Sequence, residues 1–525
     1  MKINKIFTYR KDTSMQENVM KDMNRTIYLS VCDKTVTAEV GCDYLMPDYQ
    51  PEIRRLLRVR ATVLPPATYV GAGKAEFAGA VRYDVLYAGN DGALYSASVS
   101  ENYELSAPLA TDADVDYSDE LIAYCDPTAE LLTGRVTAPR KLSLRCRLRG
   151  QIRAFGRRAL GEQLVGEGAE GAIQRLEGEV SCLRLVPRAT EPFTVSEELA
   201  ADFGESVRVV SGDASAVIRE TSVMGDGVGC RGEVFLRLLV GRDGEDTPPV
   251  AVSRRIPFGV TVPSDGFTLA SVCRATACCT EVSVTVAEDG RILADVSGSV
   301  SAEGHEALGA HYTKDLYSTE QLTRAVFADY SFPATGQCVA GNFTQSLYEP
   351  LSAFGLAPDC EVIDADATAS VEGVTFERGR FVVTGDTRLG LITREGGEYA
   401  AHDLTVPFRF ETEGAGGCGA FRSAEVVPLS VRARAEGGRL AVECEMAVSA
   451  HLCGEGRVTT LTRAELGEAV SHPRETVIAF PERGESLWSV AKRYHVPAGT
   501  LARNNSVAVS ISAPLPTTAP IVVNE

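Results

Sequence analysis

Residues 484–494 read GESLWSVAKRY, a stretch that predicts a short amphipathic helix. Its apolar side chains recur at the i, i+3, i+4 and i+7 spacing of one helical face. They are Leu487, Val490, Ala491 and Tyr494. Ser486 comes directly before them and suits the N-cap position, where a hydroxyl accepts a hydrogen bond from a free backbone N–H. The stretch therefore predicts a helix that packs one face on a core.

The residues on either side of this helix complete a small module. An apolar strand precedes it at residues 477–480, and a second helix is predicted over residues 497–504. Pro497 suits the first turn of that helix, because the backbone N–H that proline lacks would have no partner there. A proline-rich loop then leads to a last strand at residues 521–523. Residues 474–525 therefore predict the order strand, helix, helix, strand.

The same stretch, together with Leu501 and Asn505, resembles the LysM family. The resemblance implies a βααβ fold and non-catalytic binding of peptidoglycan or another N-acetylglucosamine glycan in a shallow groove between two loops. Carried over by position, the groove residues are Gly484, Glu485, Ser486 and Leu487 on one wall and Asn505 and Ser506 on the other. The family usually has Asp-Thr where this chain has Glu485 and Ser486, so its first loop is altered.

Trp488 is the only tryptophan of the chain and admits two interpretations. An indole on a binding surface can serve as a platform for a sugar ring. At a helical position beside an apolar stripe, an indole more often packs in the core. We therefore predict that Trp488 is a core residue.

Length, composition and charge limit the class of protein. A chain of 525 residues is too long for one hydrophobic core and predicts three or four domains. Its 44% apolar and 23% charged residues are ordinary for a soluble globular protein. A formal net charge of −19 argues against nucleic-acid binding, because a phosphate backbone repels an acidic surface.

The chain start and the membrane signals predict a protein that stays where it is made. Residues 1–25 form an N-terminal tail without the apolar core of a secretory signal peptide. No stretch approaches the roughly 20 apolar residues that cross a bilayer. We therefore expect a cytoplasmic location and no membrane span.

The fourteen cysteines are scattered, as expected of free thiols in a reducing compartment. Two groups could suggest a metal: Cys273 with Cys278 and Cys279, and Cys444 with His451 and Cys453. Neither has paired C-x-x-C spacing, and His305 and His311 lie in what reads as a polar linker. The sequence therefore predicts no metal site and no cofactor.

A hairpin pattern repeats before the C-terminal module. Alternating strands flank turns with glycines at positions 92, 244 and 397, which are 152 and 153 residues apart. A period near 150 residues is too long for a solenoid unit, so it indicates tandem domains. The alternation indicates half-buried antiparallel sheets. We predict a mainly β chain of three tandem sandwich-like or barrel-like domains at residues 26–170, 185–312 and 325–462, followed by the βααβ module at 474–525.

A second resemblance lies at the start of the first repeat. Residues 43–57 read DYLMPDYQPEIRRLL and resemble the opening of the SPOCS domain of clostridial spore-coat assembly proteins, whose tandem copies often precede a LysM domain. Residues 315–319, DLYST, also resemble a stretch of that family. From the residues alone, Pro51 can open a helix over residues 52–57, and the segment is a rigid turn that docks on the first sheet. Linkers are expected near residues 170–190 and 311–330.

No catalytic motif stands out in the sequence. There is no phosphate loop, no G-x-S-x-G and no H-E-x-x-H, so we expect no enzyme. The two resemblances imply a coat scaffold in the mother cell at the forespore surface. Its partner would be a spore-coat morphogenetic protein, for which the ATPase of the coat's basal layer is the candidate. The alternatives are a peptidoglycan-binding LysM protein, which would need export, and a LysM-tethered hydrolase, which would need a catalytic domain within residues 26–470.

Overall fold

The computed structural model describes residues 24–71, 73–110, 115, 121–167, 170–199, 207–242, 247–413, 421–471, 476–507, 510–516 and 519–523. Most of the predicted N-terminal tail, the turn at Gly244 and both ends of the predicted module at residues 474–525 lie outside these ranges.

The described part of the chain is mainly β, with 77% of its residues in strands and 5% in helices. Its sheets are antiparallel except where β9 (Gln163–Val165) pairs in parallel with β21 (Arg439–Ala469). This confirms the predicted mainly antiparallel β class. No helix in the described ranges is long and apolar enough to cross a membrane.

The strands that precede the C-terminal module form three pairs of sheets. The first sheet pair contains β1 Thr26–Leu45, β2 Ile53–Val63, β3 Ala67–Gly71, β4 Lys74–Gly89, β5 Leu94–Pro108, β6 Ile122–Tyr124, β7 Thr128–Ala138 and β8 Lys141–Ala159. The second contains β10 Ile173–Leu199, β11 Val207–Met224, β12 Gly227–Arg242, β13 Val250–Pro263, β14 Val272–Val286 and β15 Ile292–Ser318. The third contains β16 Gln321–Pro350, β17 Glu361–Glu377, β18 Arg380–Glu395, β19 Glu398–Glu413, β20 Phe421–Glu436 and β21.

Each sheet pair follows the same path. In the second, β11, β12 and β13 form one sheet, while β15 lies between β10 and β14 in the other. In the third, β17, β18 and β19 form one sheet, and β21 lies between β16 and β20. In the first, β2, β4 and β5 form one sheet and β8 pairs with β1 and β7 in the other. Alternate side chains of the two facing sheets make an apolar core in each pair, and the core of the first also includes residues of the other two pairs, such as Cys182 and Phe332.

A cross-strand contact between a glycine and an aromatic residue recurs in all three sheet pairs. Gly79 lies opposite Tyr103, Gly232 opposite Phe258 and Gly385 opposite Phe408. A Cβ atom at Gly232 would lie 2.4 Å from the carbonyl oxygen of Val217 and 2.7 Å from the Phe258 ring. The ring therefore covers a strand position that has no room for a side chain. Each of these glycines lies 153 residues after the one before it, so the contact recurs with the period of the sequence repeat.

Three of the predicted segments are wrong in detail. Residues 53–57, expected in a helix, belong to strand β2 because Ile53 pairs with Gly89 across the sheet. Both expected linkers, near 170–190 and 311–330, lie mostly within strands β10, β15 and β16. The predicted boundaries at residues 185, 312, 325 and 462 consequently fall inside strands. These strands are long because their ends pair beyond the sandwich cores.

The turn before β2 docks on the first sheet pair, as its prolines suggest. The backbone N–H of Met46 donates to the Arg140 carbonyl over 2.8 Å, and the backbone N–H of Ile53 donates to the Pro139 carbonyl over 2.8 Å. The side chain of Met46 is buried. Tyr49 at the tip of the turn is 85% exposed.

The three sheet pairs share an apolar contact that has a cluster of ion pairs beside it. The apolar contact consists of Leu57, Leu86, Ala88, Leu94, Val210, Leu239, Ile363 and Ile392. Arg60 of the first sheet pair forms ion pairs with Asp213 of the second and Asp366 of the third. Arg58 Nη1 lies 2.6 Å from Asp364 Oδ2. Part of the wall of a cavity of about 1650 Å³, to which all three sheet pairs contribute, is formed by Arg58, Arg60, Asp213 and Asp366.

The C-terminal module consists of β22 (Val477–Ala479), α1 (Leu487–Tyr494), α2 (Ala498–Asn504) and β23 (Ile521–Val523). Ser486 is the N-cap of α1, and its hydroxyl accepts a hydrogen bond from the Ser489 backbone N–H over 3.2 Å. Strands β22 and β23 pair antiparallel. The two helices pack on one face of this small sheet.

Candidate functional site

The module is held on the second sheet pair by polar contacts at the end of β15. Trp488 Nε1 donates a hydrogen bond to Asp315 Oδ2 over 2.8 Å. Lys492 Nζ, one helical turn later, lies 2.6 Å from Asp315 Oδ1. One carboxylate therefore binds two side chains of helix α1, and a hydrogen bond to a charged group is stronger than one between neutral groups.

Tyr317 and Ser318 extend this contact along the same strand. The Tyr317 hydroxyl donates to the Val496 carbonyl over 2.7 Å, and the Tyr317 ring packs edge-on against Trp488 with centroids 4.8 Å apart. Burial raises the pKa of the Tyr317 hydroxyl well above its usual value, so it remains a donor at neutral pH. His495 Nδ1 lies 2.8 Å from the Ser318 carbonyl oxygen. Residues 315–318, noted in the sequence for another resemblance, are the platform of the module.

Trp488 is buried between the module and this platform. Only 4% of its surface is exposed, and it belongs to the same apolar cluster as Tyr317, Leu487 and Leu501. The predicted core position is confirmed. An indole buried in this way has no free face for a sugar ring.

The first wall of the expected groove is made largely of structural residues. The Leu487 side chain is fully buried, so it lies in the core and not on a groove surface. Ser486 is occupied as the N-cap. Glu485 forms an ion pair with Arg493, and its other carboxylate oxygen accepts the Glu482 backbone N–H over 2.9 Å. Of the four predicted residues, Gly484 is the one that lies exposed.

The second wall of the expected groove also contains a residue that holds the module together. Asn505 Nδ2 donates to the carbonyl oxygens of Leu501 and Val522 over 3.0 and 2.8 Å, and Asn505 Oδ1 accepts the Val522 N–H over 2.7 Å. This amide therefore connects the end of α2 to β23. Ser506 is exposed at a positive φ of 50°.

Backbone hydrogen bonds join the two loops that should form the groove. The Leu515 N–H donates to the Glu485 carbonyl over 2.9 Å, and the Trp488 N–H donates to the Ile511 carbonyl over 2.8 Å. A bridge also pairs Ser486 with Pro514. The Glu485 carbonyl and the Trp488 N–H of the first loop are thus already bonded within the module.

An apolar patch covers the outer face of the module's small sheet. It consists of Ile478, Phe480 and Val522, which are 57%, 69% and 37% exposed. Ile478 and Val522 are cross-strand partners, so they lie side by side. We call these three residues the apolar patch. Alternation along residues 477–480 is the sequence signal that could have identified its first two members, because it places Ala479 inward and both neighbours outward.

The structure also brings together potential metal ligands that the sequence did not connect. Donor atoms of His305, Cys338 and His451 all lie within 4.8 Å of one another. Cys453 belongs to the expected group with His451, since its Sγ lies 3.7 Å from His451 Nε2. Cys444 packs instead in the core of the third sheet pair. His305 lies in strand β15 and is buried, which corrects the prediction that it lies in a polar linker.

The thirteen cysteines in the described ranges form no disulfide, as expected of free thiols. Burial raises the pKa of most of these thiols; that of Cys182, for example, rises to about 11. They are therefore protonated at neutral pH and pack as small apolar groups.

No protein-family model, curated protein or solved structure matches the chain. The SPOCS and LysM resemblances therefore stay predictions from the sequence.

Proposed function

We propose that this protein is a non-catalytic scaffold for spore-coat assembly in the mother cell, and that its C-terminal module recognises a coat protein. In this proposal each sheet pair is one SPOCS-type domain and the module is of the LysM type. Both assignments rest on the sequence resemblances, with the domain order as their common support. The partner is a morphogenetic coat protein, for which the basal-layer ATPase is the candidate.

The observation that carries the proposal is the orientation of the module. Its helix α1 is fixed to the body through Asp315 and Tyr317, and the apolar patch on the opposite side of the module is exposed. Exposed apolar side chains that cluster on one face are typical of protein-binding surfaces. A module that is already fixed loses little further freedom when a large partner binds.

The occupied backbone groups of the first loop favour a protein partner over a glycan. Shallow sugar sites depend on free hydrogen-bonding groups, and the Glu485 carbonyl and Trp488 N–H are used within the module. A partner that covers Phe480 and Ile478 needs no such groups, because it gains binding energy from the removal of apolar surface from water.

The binding test compares patch variants of the full-length chain. We expect Phe480→Asp and Ile478→Asp to weaken binding to the purified basal-layer ATPase at least tenfold. Leu269→Asp is the matched control, because Leu269 is an exposed apolar residue of the body, 84% accessible, and should leave binding unchanged. Equal affinity of the wild type and Phe480→Asp would contradict the proposal.

A second measurement separates the glycan-binding alternative. The full-length chain is titrated with N-acetylglucosamine oligomers by calorimetry, and we expect no saturable binding. Micromolar affinity would favour the peptidoglycan-binding alternative, above all if Ser506→Trp removed it.

Fractionation of sporulating cells that make a tagged protein tests the location independently. Recovery outside the mother-cell cytoplasm and forespore surface would contradict the proposed scaffold.

A further inference from the structure

A buried group of histidine and cysteine side chains lies where the second and third sheet pairs meet. His305 comes from β15, the central strand of its sheet in the second pair. His451 and Cys453 come from β21, the central strand of its sheet in the third pair, and Cys338 lies opposite His451 on β16. Central strands are held on both sides, so His305, His451 and Cys453 have well-defined positions.

The two imidazoles point at each other. His305 Nδ1 lies 2.9 Å from His451 Nε2, while the ring centroids are 5.0 Å apart and the planes differ by 8°. The two nitrogens therefore lie between the rings. At this separation the nitrogens share one proton, or they can be bridged by an ion that takes its place.

Two of the distances are close to those of a tetrahedral zinc site. With zinc–nitrogen bonds of about 2.0–2.1 Å and zinc–sulfur bonds of about 2.3 Å, ligand nitrogens are about 3.3 Å apart and a nitrogen and a sulfur about 3.6 Å apart. The Cys453 Sγ to His451 Nε2 distance is 3.7 Å. The two nitrogens need to move apart by only a few tenths of an ångström, which small side-chain rotations provide.

The environment of His305 and His451 also suits metal ligands. Both imidazoles are buried, and a neutral imidazole is the form that binds metals. His305 Nε2 faces the Gly336 backbone so closely that a Cβ there would lie 2.3 Å away. A backbone partner on the second ring nitrogen is typical of metal-bound histidines, because it orients the ring and selects the tautomer.

We propose that His305, His451 and Cys338 bind a zinc ion, with Cys453, which lies outside this group of three, as the fourth ligand once its side chain has rotated toward them. Two imidazoles and two sulfurs are the ligand set of structural zinc sites, and two thiolates neutralise the charge of the ion in this buried position. The zinc ion connects β15 to β16 and β21, so it joins the second sheet pair to the third. Each thiol loses its proton to solvent when the zinc ion binds.

The first test measures metal content. The full-length chain is purified without chelators, and we expect about one zinc ion per chain by mass spectrometry of the metal. Cys338→Ala and His305→Gln should hold at least tenfold less zinc. The controls are Cys278→Ala, which removes another half-buried thiol outside the group, and His402→Gln, which removes a histidine that contacts Thr393. Both should keep their zinc.

The second test uses the wild type alone, so it does not depend on the folding of a variant. After zinc is removed and cobalt(II) is added, we expect the visible spectrum of a tetrahedral site and a thiolate-to-cobalt charge-transfer band. We also expect zinc to protect Cys338 and Cys453 from alkylation in mild urea, and a chelator to abolish the protection. A wild type without zinc, charge-transfer band or thiol protection would show a hydrogen-bonded histidine pair only and would overturn the proposal.

Discussion

The indole N–H of Trp488 donates to the carboxylate of Asp315 over 2.8 Å and so joins the first helix of the C-terminal module to the end of strand β15. The two residues are far apart in the chain. Because Lys492 binds the other oxygen of the same carboxylate, one aspartate makes two of the contacts that hold the module on the body.

We expect Asp315→Ala to release the module from the body. The substitution removes two hydrogen bonds to a charged group, each worth about 1.5–3 kcal/mol. Since Trp488 is the only tryptophan, its fluorescence reports the change directly. The emission should shift to longer wavelength and become accessible to iodide. Asp403→Ala removes an exposed carboxylate that pairs with Arg388, so it serves as the control. Unchanged emission in Asp315→Ala would show that the apolar contact with Tyr317 is sufficient.

We expect Asp213→Asn to reduce the acid sensitivity of the fold. Burial raises the pKa of this carboxyl, but the charge and hydrogen bond of Arg60 outweigh burial, so the pKa in the folded state lies below 3.8. The unfolded chain therefore binds a proton at a higher pH than the folded chain. The contribution of Asp213 to stability is present above pH 3.8 and is lost as the pH falls through the folded pKa.

Urea unfolding at several pH values between about 5 and 2.5 measures this effect. The free energy of unfolding should fall more steeply with pH in the wild type than in Asp213→Asn. Asp265→Asn changes an exposed carboxylate and should keep the steep wild-type slope. Identical slopes in all three proteins would contradict the role of the Arg60–Asp213 pair.

We expect Gly232→Ala to destabilise the protein by about 1–3 kcal/mol, since the new methyl group would collide with backbone and ring atoms. The nearest of these atoms is the Val217 carbonyl oxygen. Gly259→Ala is the matched control in the next strand, where the nearest atom to an added Cβ is 3.8 Å away. Equilibrium unfolding in urea compares the two. Equal stability of the two variants would mean that the glycine–aromatic contact does not require glycine.

We expect Asn505→Ala to destabilise the module by about 1–3 kcal/mol, because it removes the hydrogen bonds between α2 and β23. Hydrogen exchange of the Val522 amide should become faster, whereas Ser506→Ala, at an exposed neighbour, should leave it unchanged. Slow exchange in Asn505→Ala would show that these hydrogen bonds are not needed to hold β23 in place. The same reasoning applies to Leu487: a charged residue in its buried position would disrupt the module itself.

The sequence by itself determined the features that depend on local pattern. Alternation along the strands predicts the antiparallel β class, and the turn glycines predict the repeat. The N-cap and apolar stripe of α1 predict its helix and the burial of Trp488. Such signals are local because they arise from side-chain periodicity and backbone preference within a few residues.

Local signals failed where tertiary pairing outweighed them. Pro51 and the apolar residues after it suggested a helix, but Ile53 pairs with Gly89, and the hydrogen bonds of a sheet prevail over a weak propensity. The expected linkers failed for the same reason, because polar residues such as Glu177 and Glu179 can occupy the exposed face of a long strand.

Only the tertiary structure decided which distant residues meet. Asp315 binds Trp488, Arg60 binds Asp213, and His305 lies against His451, and each pair is separated by more than a hundred residues. These contacts depend on strand register and on how the sheet pairs pack, since a shift of one residue would turn each side chain to the opposite face. No spacing in the sequence encodes such a shift, so the ion pairs, the platform of the module and the histidine–cysteine group follow from the folded structure alone.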